Sequence, residues 1–458
     1  MKEAMKTPEV DGDGIDTIRG ALSSFRRGKS REASVREQLH RIADPSGEGS
    51  RTFLKVYETA VADAAAYDRA AQRGETLPPY AGVTVSIKDL FDVAGDVTTS
   101  GSMLLKNATP AERDAEVVRR LKAAGFIPVG RTNMTEFAFS GLGINPHYGT
   151  PLNPYDRATG RIPGGSTSGG AVSVSDGMAT VALGTDTGGS CRIPAALCGL
   201  VGFKPTAARM PSEGLMPLST SLDSIGSIGQ SVACCAAVDE VISGEPAATS
   251  KCNLPSLTFA VPSSYVFDDI DGPTSAAFDR ALQRLSAAGV KIVTLNMPEL
   301  LDIPVINAKG GLTAREAYLY HRAWLDERPD AYDPRVRVRI LRGKTQTDDD
   351  YRATEHARRE LIAKADITTR PFDAIVMPTV PRIAPTLSEL AQDEDYGRIN
   401  LLMLRNPTIA NMLDRCAISL PCHKSGEAPV GFMLMGERMA DHRLLDMAAL
   451  VEPILRAA

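Results

Sequence analysis

The sequence is poor in the residues that announce a function most simply. It holds six histidines and one tryptophan, and aromatic residues make up 5% of it. The histidines are scattered singly, with no His-Glu-x-x-His arrangement, and the seven cysteines show no metal-ligand spacing. No metal site is therefore expected. The cysteines are odd in number and include the adjacent pair Cys234–Cys235, which reads as free thiols in a reducing compartment rather than a disulfide framework. Basic residues are not in excess: the formal net charge is −5, the wrong balance for a nucleic-acid binder. No stretch reaches the roughly 18 apolar residues of a membrane span. The opening MKEAMKTPEVDGDG has no apolar core of signal-peptide length. A soluble, cytoplasmic protein without nucleic-acid or membrane partners is expected.

What is present suits a large folded body. The chain has 458 residues, 43% hydrophobic and 23% charged, ordinary values for a globular protein with a sizeable core. Residues 15–75 read as helical, with Leu22, Phe25, Val35, Leu39 and Ile42 on one apolar stripe and an Ala-rich run from Phe53 to Ala71. From Tyr80 the pattern changes. Val83–Ile87 and Phe126–Val129 read as strands and Asp114–Ala124 as a helix. Residues 245–255 read as a loop or boundary. Leu257–Val261 and Val290–Leu295 are strand candidates around a helix at Thr274–Ala288, residues 312–365 read as helical, and Ala374–Met377 as a buried strand. Alternating strands and helices predict an α/β fold. The expected division is a helical segment over 1–75 and a core over 76–458, built from 76–245 and 371–458 around a more variable 246–370. The cluster Arg335, Arg337, Arg339, Arg342 and Lys344 reads as a solvated face balanced by acids such as Asp348–Asp350.

Chemistry concentrates between Arg161 and Thr206. Two Gly-Ser clusters lie there, Gly164–Gly170 and Gly184–Ser190, separated by an Ala- and Val-rich segment. Strongly apolar flanks argue against a flexible linker. The P-loop, Gly-x-Gly-x-x-Gly and Gly-x-Ser-x-Gly spacings are all absent, so neither a phosphate loop nor a histidine-based nucleophile elbow fits. Glycines allow backbone amides to approach a ligand closely, and consecutive amides over Thr187–Ser190 could converge on one oxygen as an oxyanion hole. A serine closing such a loop still needs a base. Lys88, following the apolar run Val83–Ile87, is a candidate, because burial lowers a lysine's pKa toward that of a usable amine. A lysine after a strand is more commonly a surface residue.

Lys88, the two clusters and the string GTDTGGSCRIPA at Gly184–Ala195 together resemble the amidase signature enzymes. The resemblance extends over about Tyr80–Ser231 and Asp373–Gly436. It implies a large, mixed, twisted β-sheet flanked by helices, with a helical insertion. It also implies a Ser–cis-Ser–Lys triad: Ser190 as nucleophile, Ser166 as proton relay behind a cis peptide bond, and Lys88 as base. Thr187, Gly188, Gly189 and Ser190 would supply oxyanion amides. Asp186 and Arg192 are expected to hold the loop, Ser168 to orient Ser166 or satisfy nearby backbone, and Asn133, Glu136 and Ser140–Asn145 to border the pocket. No cofactor is implied. Thr84, Thr167 and the segment Asn411–Pro421 depart from the family's usual strings, which bears on substrate rather than on the triad.

The expected activity is hydrolysis of a small-molecule amide to an acid plus ammonia or an amine, through an acyl-enzyme. A homodimer is compatible with the sequence. Two other functions compete. One is a glutaminase subunit of a tRNA-dependent amidotransferase, which would need partner subunits. The other is a non-catalytic binding protein on the same fold, which would have no need to retain Lys88, Ser166 and Ser190.

Overall fold

The architecture is that of a computed structural model describing residues 17–246 and 252–456. Residues 15 and 16 of the N-terminal helical reading, the opening MKEAMKTPEVDGDG and residues 247–251 of the boundary reading lie outside the described residues.

Eleven strands form one mixed sheet: β1 (Phe53–Val56), β2 (Thr84–Lys88), β3 (Ile127–Thr132), β4 (Val181–Asp186), β5 (Val201–Lys204), β6 (Ser224–Gly229), β7 (Thr258–Pro262), β8 (Lys291–Leu295), β9 (Ala374–Pro378), β10 (Ala417–Pro421) and β11 (Gly431–Met435). Their spatial order is β1-β3-β2-β4-β6-β5-β10-β11-β9-β7-β8. β2 runs parallel to both β3 and β4, whereas the centre from β4 through β6, β5, β10 and β11 to β9 is antiparallel. β7 is parallel to β8 and β9. Helices cover the sheet, so β2, β4, β5, β6, β9, β10 and β11 are buried along their whole length. That double burial explains why these strands read as near-continuous apolar runs rather than as alternating ones.

Most predicted elements appear at nearly their predicted places. The helix expected at Asp114–Ala124 spans Glu116–Ala123, and that expected at Thr274–Ala288 spans Gly272–Ala287, with Asp271 accepting from the Thr274 amide as its cap. The helical stretch 312–365 resolves into Gly311–Glu327, Pro334–Leu341 and Asp348–Thr369. The last of these is closed by a reciprocal capping box between Thr347 and Asp350.

One expectation fails. The Ala-rich run is helical only over Thr59–Gln72, and Phe53–Val56 is instead strand β1, paired antiparallel with β3. A four-residue edge strand is too short to display an alternation that competes with the helical spacing beside it. Among the described residues, no helix is long and apolar enough to cross a membrane.

Candidate active site

The site forms where β2 and β4 run side by side and end together. Parallel pairing sets Ile87 beside Leu183, so Lys88 and Thr185 emerge at the same edge. Lys88 is fully buried. Its Nζ donates to Ser166 Oγ and to Thr185 Oγ1, each at 2.8 Å. Burial pushes the ammonium down from 10.5 to about 8, against the opposing pull of Cys191, Asp186 and Asp223.

Ser166 sits in the first Gly-Ser cluster, just before the buried helix Ser168–Ser175. The Gly165–Ser166 peptide bond is cis. Gly165 is needed here for space: a Cβ on it would lie 2.5 Å from the Gly143 amide nitrogen. The chain is pinned on both sides, since Gly165 N donates to Gly141 O at 2.8 Å and Ser166 O accepts from Thr135 N at 3.1 Å. The Thr167 amide then donates to Ser190 O at 3.2 Å, which draws the two Gly-Ser clusters together.

The second cluster is organised by Asp186 at the end of β4. Its carboxylate accepts from the Gly189 amide at 2.8 Å and the Cys191 amide at 3.2 Å, and it pairs with Arg192 through Nε at 3.0 Å and Nη2 at 2.8 Å. Both side chains are fully buried. Burial pushes the Asp186 carboxyl up, but the Arg192 charge and its hydrogen bonds outweigh it and hold the group at about 2. Asp186 and Arg192 are thus a structural clamp around the Thr187–Ser190 turn. Gly189 has φ +124°, and a Cβ there would lie 2.5 Å from Pro407 Cβ. Of the four amides expected to serve an oxyanion, that of Gly189 already donates to Asp186.

The other expected residues divide. Ser168 Oγ reaches Asn133 O at 3.5 Å, so it satisfies backbone and does not orient Ser166. Asn133 donates to Arg51 O and Gly149 O, at 2.9 and 2.8 Å. Glu136 accepts from Ser102 Oγ and the Asp333 amide, each at 2.7 Å, and contacts His147 Nε2 at 2.8 Å. Asn133 and Glu136 therefore knit loops together and do not border the cavity; of Ser140–Asn145, only Ser140 lines it.

Several functional candidates went unnoticed in the sequence. Thr185 supplies the second oxygen on Lys88. Asp223 accepts from Thr187 Oγ1 at 2.5 Å and from the Leu218 and Ser219 amides; burial pushes its carboxyl up to about 6. The helix Asp393–Met412 lies over the site and carries buried asparagines. Asn400 accepts from Ser140 Oγ and the Gly141 amide, and Asn411 accepts from Arg192 and donates to Asp186.

Thr187, Gly188 and Ser190 face a cavity of about 1450 Å³. The helix Pro334–Leu341 forms part of its wall and corrects the reading of the Arg335–Lys344 cluster. Helical spacing puts Arg335, Arg339 and Arg342 on the cavity side, while Arg337 pairs with Asp330. Asp348, Asp349 and Asp350 pair instead with Arg315, Arg352 and Lys309. Among the described residues, no group of histidines, cysteines and acids is arranged to hold a metal ion.

The chain is similar to known proteins over most of its length. A 2-amino-5-chloromuconic acid deaminase of Comamonas testosteroni is 36% identical over 414 residues, covering 88% of this chain and 89% of that one. A glutamyl-tRNA(Gln) amidotransferase subunit from Moorella thermoacetica is 33% identical over 456 residues, covering 92% of each. A crystal structure of an amidase superposes with a TM-score of 0.86 at 30% identity, covering 95% of this chain and 99% of that one. The Amidase family model matches residues 33–445, and the chain belongs to that family.

Proposed function

We propose that Ser190 is the nucleophile of this amidohydrolase, Ser166 its proton relay and Lys88 its base. The carrying observation is the buried Lys88 amine, held 2.8 Å from Ser166 Oγ with its pKa near 8. Neutral Lys88 accepts the Ser166 proton as Ser166 takes that of Ser190, and Ser190 Oγ attacks the amide carbonyl. The amides of Thr187, Gly188 and Ser190 receive the developing oxyanion, in a loop already fixed by Asp186 and needing no rearrangement at that moment. The proton on Lys88 then passes back through Ser166 to the leaving nitrogen. Water attacks the acyl-Ser190 by the same relay and releases the acid. None of the seven cysteines is in a disulfide, which suits action in a reducing cytoplasm.

The amidotransferase relative supports a second reading, a glutaminase subunit passing ammonia to a partner. Mass-spectrometric product release separates the two. Aliphatic amides, anilides, indole-3-acetamide, carbamoyl ureas and glutamine are offered to the isolated chain, with Ser190→Ala as the control. Turnover of non-glutamine amides that vanishes in Ser190→Ala is the expected result. Turnover that survives in Ser190→Ala would overturn the nucleophile, and glutamine as the only substrate would favour the second reading.

A further inference from the structure

The cavity in front of Ser190 is lined by six arginines and four aspartates, with no lysine, histidine or glutamate among the described residues. Most of these arginines are already engaged. Arg335 pairs with Asp393 at 2.7 Å, Arg382 with Glu389 at 2.8 Å and Arg398 with Asp395 at 3.0 Å. Arg342 donates to Ala308 O at 2.8 Å and Arg405 to Val266 O at 2.9 Å. Arg339 differs from all of them. Among the described residues no carboxylate lies within ion-pair reach of it, and its Nε is buried without a hydrogen-bond partner. Its guanidinium carbon lies 5.0 Å from the centre of the Phe139 ring, whose neighbour Ser140 also lines the cavity.

Arg339 is half-buried on the cavity wall; its guanidinium stays charged there, and its buried Nε has no acceptor among the described residues. A carboxylate in the cavity would supply acceptors that the described residues do not. The planar fork of N–H donors, placed beside the Phe139 ring, matches a carboxylate in two-point geometry. Ser140 Oγ, fixed by Asn400 at 2.9 Å and by Tyr396 Oη at 2.8 Å, stands on the same wall.

We propose that the substrate is an amide whose acyl part carries a second, free carboxylate, and that Arg339 receives this carboxylate while the amide carbonyl lies at Ser190. This rests on the reading of Ser190 as nucleophile. The neutral amide end then needs no charged partner near the serine, and the anionic end is drawn to the cavity arginine that has no partner of its own among the described residues. The product is a dicarboxylic acid, so a reaction that consumes dicarboxylic acids must follow.

The test compares succinamate, glutaramate and adipamate with the neutral amides butyramide, valeramide and hexanamide. The wild type is expected to prefer the acids in kcat/KM, and Arg339→Gln to reduce the acid-to-neutral ratio by about 10- to 100-fold, the value of a hydrogen-bonded charge. Arg339→Lys should restore part of that ratio. Arg398→Gln removes a cavity arginine already paired with Asp395 and should leave the ratio within about twofold. A ratio unchanged in Arg339→Gln, or lowered equally in Arg398→Gln, overturns the assignment. Titration of the same acid amides into Ser190→Ala protein, followed by calorimetry, reads the contact without turnover. Binding lost on adding Arg339→Gln supports the proposal even if catalysis runs through other groups; binding that survives overturns it while leaving the hydrolase reading intact.

Discussion

Replacing Lys88 by methionine separates the chemistry of the site from its stability. A lysine titrating at about 8 is roughly one-tenth neutral at about pH 7, whereas one at the ordinary 10.5 would be neutral in only about 3 molecules in 10,000. Burial therefore raises the working fraction of base some 300-fold. The kcat/KM of the wild type should climb about tenfold from about pH 7 to pH 9 and level off, with one inflection near 8. Lys88→Met should lose about 10²- to 10⁴-fold in kcat/KM together with that inflection. Stability should move the other way. The folded pKa lies below the unfolded one, so between about 8 and 10.5 the unfolded chain binds more protons, and wild-type stability rises with pH through that window. Below it the buried ammonium lowers stability by the full amount, roughly 3 kcal/mol. Methionine fills similar space without a charge, but strands the Ser166 and Thr185 hydroxyls at about 1 kcal/mol each. Lys88→Met should thus be more stable than the wild type at pH 7 by about 1 kcal/mol in urea titration. An activity profile flat from about pH 6 to 9, or a variant that keeps the wild-type rate, refutes the role of Lys88 as base.

Ser166→Ala removes the relay but leaves both ends of it, and should lower kcat by about 10²- to 10⁴-fold while costing about 1–3 kcal/mol of stability through the acceptor lost to the buried Lys88 amine; full activity would mean that Lys88 reaches Ser190 by another route. Asp186→Asn leaves Arg192 buried without a counter-charge and turns one of its accepting oxygens into an amide donor, so it should cost about 3–5 kcal/mol in denaturant unfolding. A loss below about 1 kcal/mol would show that the pair does not hold the loop. Gly189→Ala forces a Cβ to within 2.5 Å of Pro407 at φ +124° and should depress both stability and activity. Gly397→Ala, inside the helix Asp393–Met412 with open space around it, should instead add about 0.5–1 kcal/mol. The contrast is read by thermal melts of the two variants side by side.

The parts of the site that were legible in the sequence share one property: they are local. Two Gly-Ser clusters within one stretch of chain, flanked by apolar residues, carry their meaning in their own spacing. Lys88 was legible only in company with them, because a lysine closing an apolar strand is ordinary on its own. Thr185, Asp223 and Asn411 were not legible. Their contacts come from parallel pairing that sets β4 beside β2, from a turn that returns Asp223 to Thr187, and from the helix Asp393–Met412 laid over the Thr187–Ser190 turn. Asp223 and Asn411 sit 36 and 225 residues from the partners they hold, and no pattern within a window of sequence records such a meeting. The edge strand Phe53–Val56 was hidden for a different reason, being shorter than the period needed to distinguish it from the helix that follows.

The arginine cluster shows why mechanism and specificity differ in legibility. Its charge count suggested a solvated face, and on count alone the nearby aspartates neutralise it. Spacing was the better guide. Positions 335, 339 and 342 fall on one side of a helix and 337 on another, so the cluster was never a single patch. Which side meets water depends on what the helix packs against, and here the Arg337 side pairs with Asp330 while the other faces the cavity. The proposed relay, built at the ends of adjacent central strands, needs a fixed backbone and so carries a dense local string. The wall opposite needs only that a helix present one unpaired cation across open space, which many sequences satisfy. On the proposed assignment of Arg339, a change of substrate would be made by altering the helix Pro334–Leu341 without touching β2, β4 or the two Gly-Ser clusters.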